Sequence, residues 1–146
     1  AEHLAVAKGL AVSEKHPNAV VIAGDQICAL GTEVLHKPMT NQNAAMQLEH
    51  LQGKTHHLHT SAAICKGGEV LWQLATTTAL HMRELSLGEI ENYVAQDDVR
   101  HCCGSYKIEG QGMRLFQRID GDQFAIEGLP ILDVVNTLYE YKFIGL

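Results

Sequence analysis

Features that would assign the chain to a specialised class are absent from its 146 residues. No apolar run approaches the roughly 20 residues that a membrane-spanning helix needs. The first ten residues have neither the basic nor the apolar region of a signal peptide. Lysine and arginine number 11 against 17 aspartate and glutamate residues, a balance unlike that of proteins that bind the nucleic-acid backbone. We therefore expect a cytoplasmic protein with no nucleic-acid or membrane partner.

A cysteine framework is also absent, since the spacing of the four cysteines is typical of neither a disulfide framework nor a zinc ribbon. Two of the four cysteines are isolated, and Cys102 and Cys103 are adjacent, where an intramolecular bridge is strained. No C-x-x-C pair occurs. Histidine is more frequent, and on a strand His57 and His59 would share a face. That pair either binds a metal ion or belongs to an ordinary strand surface.

The composition and periodicity predict one α/β domain over residues 1–146, with a mixed twisted sheet flanked by helices. Hydrophobic residues make up 46% of the chain, enough for a core. The apolar run at 19–25 predicts a strand that is buried on both faces and ends at Gly24-Asp25. A hairpin turning near Gly31-Thr32 and two strands joined at Gly67-Gly68 should follow.

Four helices are predicted, and each has a signal of its own. The first, over 2–17, should bury Leu4, Ala5, Ala7, Leu10 and Ala11. The second begins after a cap at Thr40 or Asn41, and the third after a capping box at Ser86 and Glu89. The last follows Pro130, and its expected core face consists of Ile131, Val134, Val135 and Leu138. A further strand is predicted over 113–119.

Acidic and basic residues at the ends of these elements are the candidates for chemistry. Asp25 is either a general base or Mg²⁺ ligand, or only a turn or capping residue. Lys37 is either functional or an exposed lysine, and Lys54 is either functional or a charge at a helix C-terminus. Glu109 lies between glycines in a loop over 97–112, a setting that suits either binding or simple solvation.

Five motifs follow one another along the chain: VIAGDQ at 21–26, HKP at 36–38, LQGKTH at 51–56, GSYKIEG at 104–110 and EGLP at 127–130. In this order they resemble the Maf family of nucleoside triphosphate pyrophosphatases. The resemblance implies an ITPase-like (Maf/Ham1-type) fold and a homodimer. It also implies hydrolysis between the α and β phosphates to a nucleoside monophosphate and pyrophosphate. The expected cofactor is a divalent cation, Mg²⁺ or alternatively Mn²⁺.

The same resemblance implies roles for individual residues. Asp25 matches the catalytic aspartate, which accepts a proton from the attacking water and binds the metal ion. Lys37 matches the lysine of the Lys-Pro motif and would neutralise developing phosphate charge. The expected substrate-binding residues are Gln26, Lys54, Lys107 and Glu109.

Two positions favour the 7-methyl-GTP pyrophosphatase branch of the family. Members that prefer dTTP and UTP usually have Thr and Gln where this chain has Gln26 and Glu109. A carboxylate accepts hydrogen bonds from the N1–H and N2–H₂ donors of guanine and attracts a positively charged 7-methylguanine ring. A dTTP/UTP pyrophosphatase is the alternative.

One family segment has no counterpart among the 146 residues. Typical members begin with a strand and a Ser-x-Ser-Pro-Arg-Arg loop, whose arginines make forked contacts to the triphosphate. We therefore expect an N-terminally truncated member. A second hypothesis follows from this absence, in which the chain is a non-catalytic nucleotide-binding or interaction module.

Overall fold

The computed structural model describes residues 2–146, which form five strands, five α-helices and one 3₁₀ helix. The strands are β1 (Val21–Leu30), β2 (Glu33–Leu35), β3 (Thr55–Lys66), β4 (Glu69–Met82) and β5 (Phe116–Asp120). The helices are α1 (Glu2–Lys15), α2 (Asn41–Leu51), α3 (Leu87–Gln96), α4 (Gln123–Glu127) and α5 (Ile131–Glu140), with the 3₁₀ helix at Gln111–Leu115. The α/β fold class is confirmed.

The strands form one five-stranded open sheet in the order β2-β1-β3-β4-β5. The pairs at its two edges, β1 with β2 and β4 with β5, are antiparallel. The chain divides into two compact units. The first unit comprises residues 2–26, 59–76 and 124–146, and the second comprises 27–58 and 77–123. Within residues 2–146, no helix has the length and apolarity needed to cross a membrane.

Local chemistry correctly predicted several element boundaries. The Thr40 hydroxyl accepts a hydrogen bond from the Asn43 backbone N–H at 3.0 Å and caps α2, so Thr40 and not Asn41 is the cap. The capping box at the start of α3 is formed in both directions. Gly67 and Gly68 have φ angles of 59° and 78°, as a tight hairpin turn requires.

The prediction for the first strand was wrong in two respects. β1 continues through Gly24-Asp25 to Leu30, so Asp25 lies in mid-strand and not at a strand end. The strand is also not buried on both faces, since Ile22 is 43% exposed. Gly24 continues the strand and allows Leu129 to pack closely against it. A Cβ at this position would lie 3.2 Å from Leu129 Cδ1.

The predicted apolar face of α1 was also largely wrong. Only Ala5 of that set is fully buried, and Leu4 is 50% exposed. The residues that face the sheet are instead the small ones, Ala5, Gly9 and Ser13, spaced four apart. A Cβ on Gly9 would lie 2.7 Å from Cys65 Sγ, so the helix contacts the strands too closely for large side chains.

Three further differences concern the C-terminal part of the chain. β5 begins at Phe116, not at residue 113, because the 3₁₀ helix occupies the preceding residues. Helix α4 was not predicted, and its five residues are too few to show a helical period. On α5, Val134 is buried as expected, but Ile131 and Val135 are 42% and 41% exposed.

The first unit has helices on both faces of its strands. Gly9 of α1 lies against Ala23 on β1 and Cys65 on β3. On the other face, Val134 of α5 packs in a cluster with Ala62 and Ile64 of β3. Because strand side chains alternate between faces, adjacent residues of β1 point to different helices.

The second unit has its own core beneath α2 and α3. Its fully buried large side chains come from both helices and from strands β3 and β4, and include Leu48, Leu51, His56, Leu80 and Ile90. This core supports two irregular segments, residues 36–40 before α2 and residues 97–110 after α3.

Candidate functional site

Asp25 lies on the face of β1 that is covered by α1. Its carboxylate Oδ1 is 3.3 Å from the Lys8 ammonium group of α1. The Asp25 side chain is 13% exposed and the Lys8 side chain 51%. A carboxylate in this position is partly shielded and oriented by a cation, yet remains accessible to a small reactant.

Gln26 points to the opposite face of β1, as strand alternation requires. Its amide nitrogen lies 2.9 Å from the Ala125 carbonyl, 3.1 Å from the Ile126 carbonyl and 3.1 Å from Thr60 Oγ1. The Thr60 hydroxyl donates a hydrogen bond to the same Ala125 carbonyl at 3.0 Å. These contacts give Gln26 a structural task, which is to hold the C-terminal end of α4. Its role in substrate binding stays a prediction.

Two amide side chains of α2 hold the loop that carries Lys37. The Gln47 amide N–H donates to the His36 carbonyl at 2.9 Å, and the Asn43 amide N–H donates to the Pro38 carbonyl at 3.1 Å. The carbonyl groups of the residues before and after the exposed Lys37 are therefore both hydrogen-bonded to side chains of α2. The backbone of this lysine has a defined position while its ammonium group faces solvent.

Met39, in the same loop, has a left-handed backbone with φ 68°. Its N–H donates to the Arg100 carbonyl at 2.8 Å. A non-glycine residue in this region costs about 1 kcal/mol or more, so the surrounding hydrogen bonds must hold it. The loop is thus constrained at several positions before α2 begins.

The second irregular segment contains the GSYKIEG motif and is held from several directions. Ser105 is fully buried with φ 60°, and its hydroxyl donates to the Gln47 side-chain oxygen at 2.5 Å. The Lys107 N–H donates to the Tyr93 hydroxyl at 2.9 Å. The Lys107 carbonyl accepts from the N–H groups of Gly110 and Gly112 at 3.1 and 3.0 Å.

These contacts fix the turn on which Glu109 is displayed. The Glu109 side chain is exposed, and its backbone is held through the hydrogen bonds of the neighbouring loop residues. A Cβ on Gly112 would collide with the Lys107 carbonyl group, so glycine is required there for the turn to close.

Lys54 makes a contact that fits its interpretation as a charge at a helix C-terminus. Its ammonium group donates to the His50 carbonyl at 2.9 Å, in the last turn of α2. A cation at this end satisfies a free carbonyl and interacts favourably with the helix dipole. Substrate binding by Lys54 stays a prediction.

The structure thus places the predicted site residues in two groups. Asp25 and Gln26 are adjacent in the first unit, whereas Lys37, Lys54, Lys107 and Glu109 belong to the second. Sequence reasoning missed Lys8 and Gln47. No local signal identifies either residue, because a lysine on α1 and a glutamine on α2 are ordinary surface helix residues until their partners are known.

His56 of the LQGKTH motif is a buried core residue. It is fully inaccessible, and its Nε2 is 2.8 Å from the Tyr106 hydroxyl. Burial, with smaller contributions from the nearby His57 and His81, lowers the pKa of His56 to about 4. The neutral imidazole therefore joins β3 to the GSYKIEG loop.

Acidification should therefore destabilise the protein through His56. A histidine in the unfolded chain has a pKa near 6.5 and the folded one a pKa of about 4, so between these values the unfolded state binds more protons. Stability is fully present above pH 6.5 and falls by up to about 1.4 kcal/mol per pH unit as the pH decreases towards 4. Urea unfolding at pH 7.5 and pH 5 measures this loss.

The control separates His56 from the other histidines. His56→Gln should flatten the dependence between these two pH values, whereas the exposed His16→Gln should retain it. An unchanged slope in the His56 variant would show that another group is responsible.

The side chains that could bind a metal ion fit a site shared with substrate phosphates, and not a cage formed by the protein alone. Among residues 2–146, no three His, Cys, Asp or Glu side chains come together as a potential metal site. Mg²⁺ does not require such a cage, because it retains waters and commonly binds one or two carboxylates together with substrate phosphates. The partly exposed Asp25 carboxylate fits this requirement.

The five-stranded sheet with its flanking helices defines an α/β protein. The family model described as "Maf-like protein" matches residues 1–141. The chain belongs to the Maf-like protein family.

Curated relatives match over nearly the whole chain. A "7-methyl-GTP pyrophosphatase" of Brucella abortus biovar 1 (strain 9-941) is 41% identical over 146 residues, which cover 99% of this chain and 73% of the relative. A "Nucleoside triphosphate pyrophosphatase" of Roseobacter denitrificans is 38% identical, with 94% and 70% covered. One of the same name from Legionella pneumophila (strain Corby) is 37% identical, with 98% and 72% covered.

Proposed function

We propose that the protein is a nucleoside triphosphate pyrophosphatase that hydrolyses the bond between the α and β phosphates, with 7-methyl-GTP as the favoured substrate. The observation that carries the proposal is the Asp25 carboxylate, oriented by Lys8 at 3.3 Å. Family membership and the names of the relatives support the reaction class. Glu109, in its anchored loop, supports the choice of a guanine-type base.

Each residue has a role that follows from its chemistry. Asp25 accepts the proton that the attacking water releases, and the Lys8 ammonium group keeps the acceptor oxygen in place. Lys37 extends from an anchored loop and offsets negative charge on the phosphates. Lys107 adds positive charge from the GSYKIEG loop. Glu109 accepts hydrogen bonds from the donor edge of the base.

A divalent cation completes this assignment. Asp25 would hold Mg²⁺, or alternatively Mn²⁺, together with phosphate oxygens of the substrate. When bound, the ion offsets phosphate charge and orients the triphosphate.

The direct test is pyrophosphate release by the 146-residue chain with Mg²⁺ and each of 7-methyl-GTP, GTP, UTP and dTTP. Release that is fastest with 7-methyl-GTP supports the proposal, and release that is fastest with UTP or dTTP supports the alternative substrate class. Calorimetric binding of these nucleotides without any release would instead support a non-catalytic binding module.

Glu109→Gln should change the substrate preference. Loss of a charged acceptor should lower kcat/KM for 7-methyl-GTP by about 10-fold or more relative to UTP, because hydrogen bonds to charged groups contribute about 1.5–3 kcal/mol. Steady-state kinetics on both nucleotides measure the ratio. The exposed Glu91→Gln on α3 is the matched control and should leave it unchanged. An equal loss on both substrates would remove Glu109 from base recognition.

A further inference from the structure

Gln47 contacts two loops that the sequence places far apart. Its side chain projects from α2, and its amide nitrogen donates to the His36 carbonyl at 2.9 Å. Its amide oxygen accepts from the Ser105 hydroxyl at 2.5 Å. One planar amide group therefore links the loop of Lys37 directly to the loop of Glu109.

The two groups that Gln47 contacts, the Ser105 hydroxyl and the His36 carbonyl, both depend on this hydrogen bonding. Ser105 is fully buried with a left-handed φ of 60°, an arrangement that persists only where neighbouring contacts hold it. The His36 carbonyl precedes Lys37, so its direction determines where the lysine backbone begins. Without a partner at residue 47, the buried Ser105 hydroxyl would lose the acceptor that it has here.

We propose that Gln47 is a positioning residue that holds the phosphate-binding loop of Lys37 and the base-recognition loop of Glu109 in one fixed arrangement. This inference rests on the proposed function for the roles of Lys37 and Glu109. Gln47 itself touches neither the reacting atoms nor the base, and acts only through the two loops.

The side-chain chemistry explains why glutamine suits this position. The link needs an N–H donor towards His36 and an acceptor towards Ser105 on the same group, and an amide supplies both. Methionine has similar length but offers no N–H donor. Glutamate still accepts from Ser105 but places a second acceptor against the His36 carbonyl.

Gln47→Met tests the catalytic consequence. We expect kcat for the best nucleotide substrate to fall by about 10- to 100-fold, since small misplacements of positioning groups cost this much. KM should change less than about threefold, because charge stabilisation by Lys37 acts mainly in the transition state. Met46→Ala, at a 60% exposed neighbour on α2, is the control and should retain full activity.

Hydrogen exchange provides a readout that does not depend on activity. In Gln47→Met, the backbone amides of Met39 and Ser105 should both exchange about tenfold faster, while the amide of the buried Leu80 on β4 stays unchanged. Ser105→Ala breaks only one side of the link, yet it should also accelerate exchange at Met39. Because the Met39 N–H also donates to the Arg100 carbonyl in the segment of Ser105, Ser105→Ala is measured in the Gln47→Met background as well, where coupling through Gln47 predicts no additional acceleration at Met39.

The outcomes separate the two proposals. If the unmodified chain releases no pyrophosphate from any nucleotide, the proposed function fails, and the exchange data still decide whether Gln47 couples the loops. If the chain is active but Gln47→Met retains its kcat, or if Ser105→Ala leaves Met39 exchange unchanged, the positioning role is overturned.

Discussion

Replacing Asp25 by asparagine is expected to lower pyrophosphate release by at least about 100-fold, the usual contribution of a general base. Asparagine has the same shape but cannot accept the proton of the attacking water. The fold should survive, because the Asp25 contact with Lys8 at 3.3 Å joins a half-exposed ammonium group, and such ion pairs contribute at most about 1 kcal/mol.

The measurement is the initial rate of pyrophosphate release, compared with circular dichroism and thermal unfolding of the same samples. Asp133→Asn, an identical change on the exposed surface of α5 in the same unit, should leave the rate within about twofold. A folded Asp25→Asn protein that retains more than a tenth of the original rate would show that another group is the base.

Replacing Gly112 by alanine is expected to cause a large loss of stability in the second unit. The new Cβ would collide with the Lys107 carbonyl oxygen and lie 2.8 Å from its carbon, both backbone atoms that cannot rotate away. The turn must open and lose its hydrogen bonds to Lys107. A loss of about 3 kcal/mol in the free energy of unfolding follows from comparable overpacking.

Denaturant unfolding measures this loss, and Gly88→Ala is the matched control. Gly88 lies in the first turn of α3, where the nearest atom to an added Cβ is Ser86 Oγ at 3.9 Å. Alanine there should stabilise the helix by up to about 1 kcal/mol. If both variants have the same stability, the close approach at Gly112 is not what holds the turn.

The parts of the fold that depend on neighbouring residues alone were predictable. The Thr40 cap, the capping box of Ser86 and Glu89, and the turn at Gly67-Gly68 each involve residues within a few positions of one another. Their chemistry is complete in the local sequence, so no tertiary information was needed.

The parts that depend on packing were not predictable. An apolar periodicity cannot reveal that α1 faces the sheet through Gly9 and Ser13, because close approach selects for small size and not for hydrophobicity. The hairpin of β1 and β2 was predicted, but the continuity of β1 through Gly24-Asp25 was not, because a glycine followed by an aspartate is locally indistinguishable from a strand end.

The candidate site also contains residues that the local sequence reveals and residues that only tertiary contacts reveal. The resemblance to a known family predicted roles for Asp25, Lys37 and Glu109 through motifs that are contiguous in sequence. Lys8 and Gln47 were missed because each is defined by a partner that is distant in the chain, 17 residues away for Lys8 and 58 for Gln47.

The hydrogen bonds of Gln26 limit which residues can replace it. A threonine at this position, as in dTTP- and UTP-preferring members, is too short to reach the carbonyls of Ala125 and Ile126 that Gln26 now holds. Exchanging residue 26 alone would therefore leave the Ile126 carbonyl without this donor, and Thr60 would remain as the side-chain donor to Ala125. The side chain at position 26 is thus also part of the scaffold of α4, so a graft at this position has to transplant the α4 segment along with the single side chain.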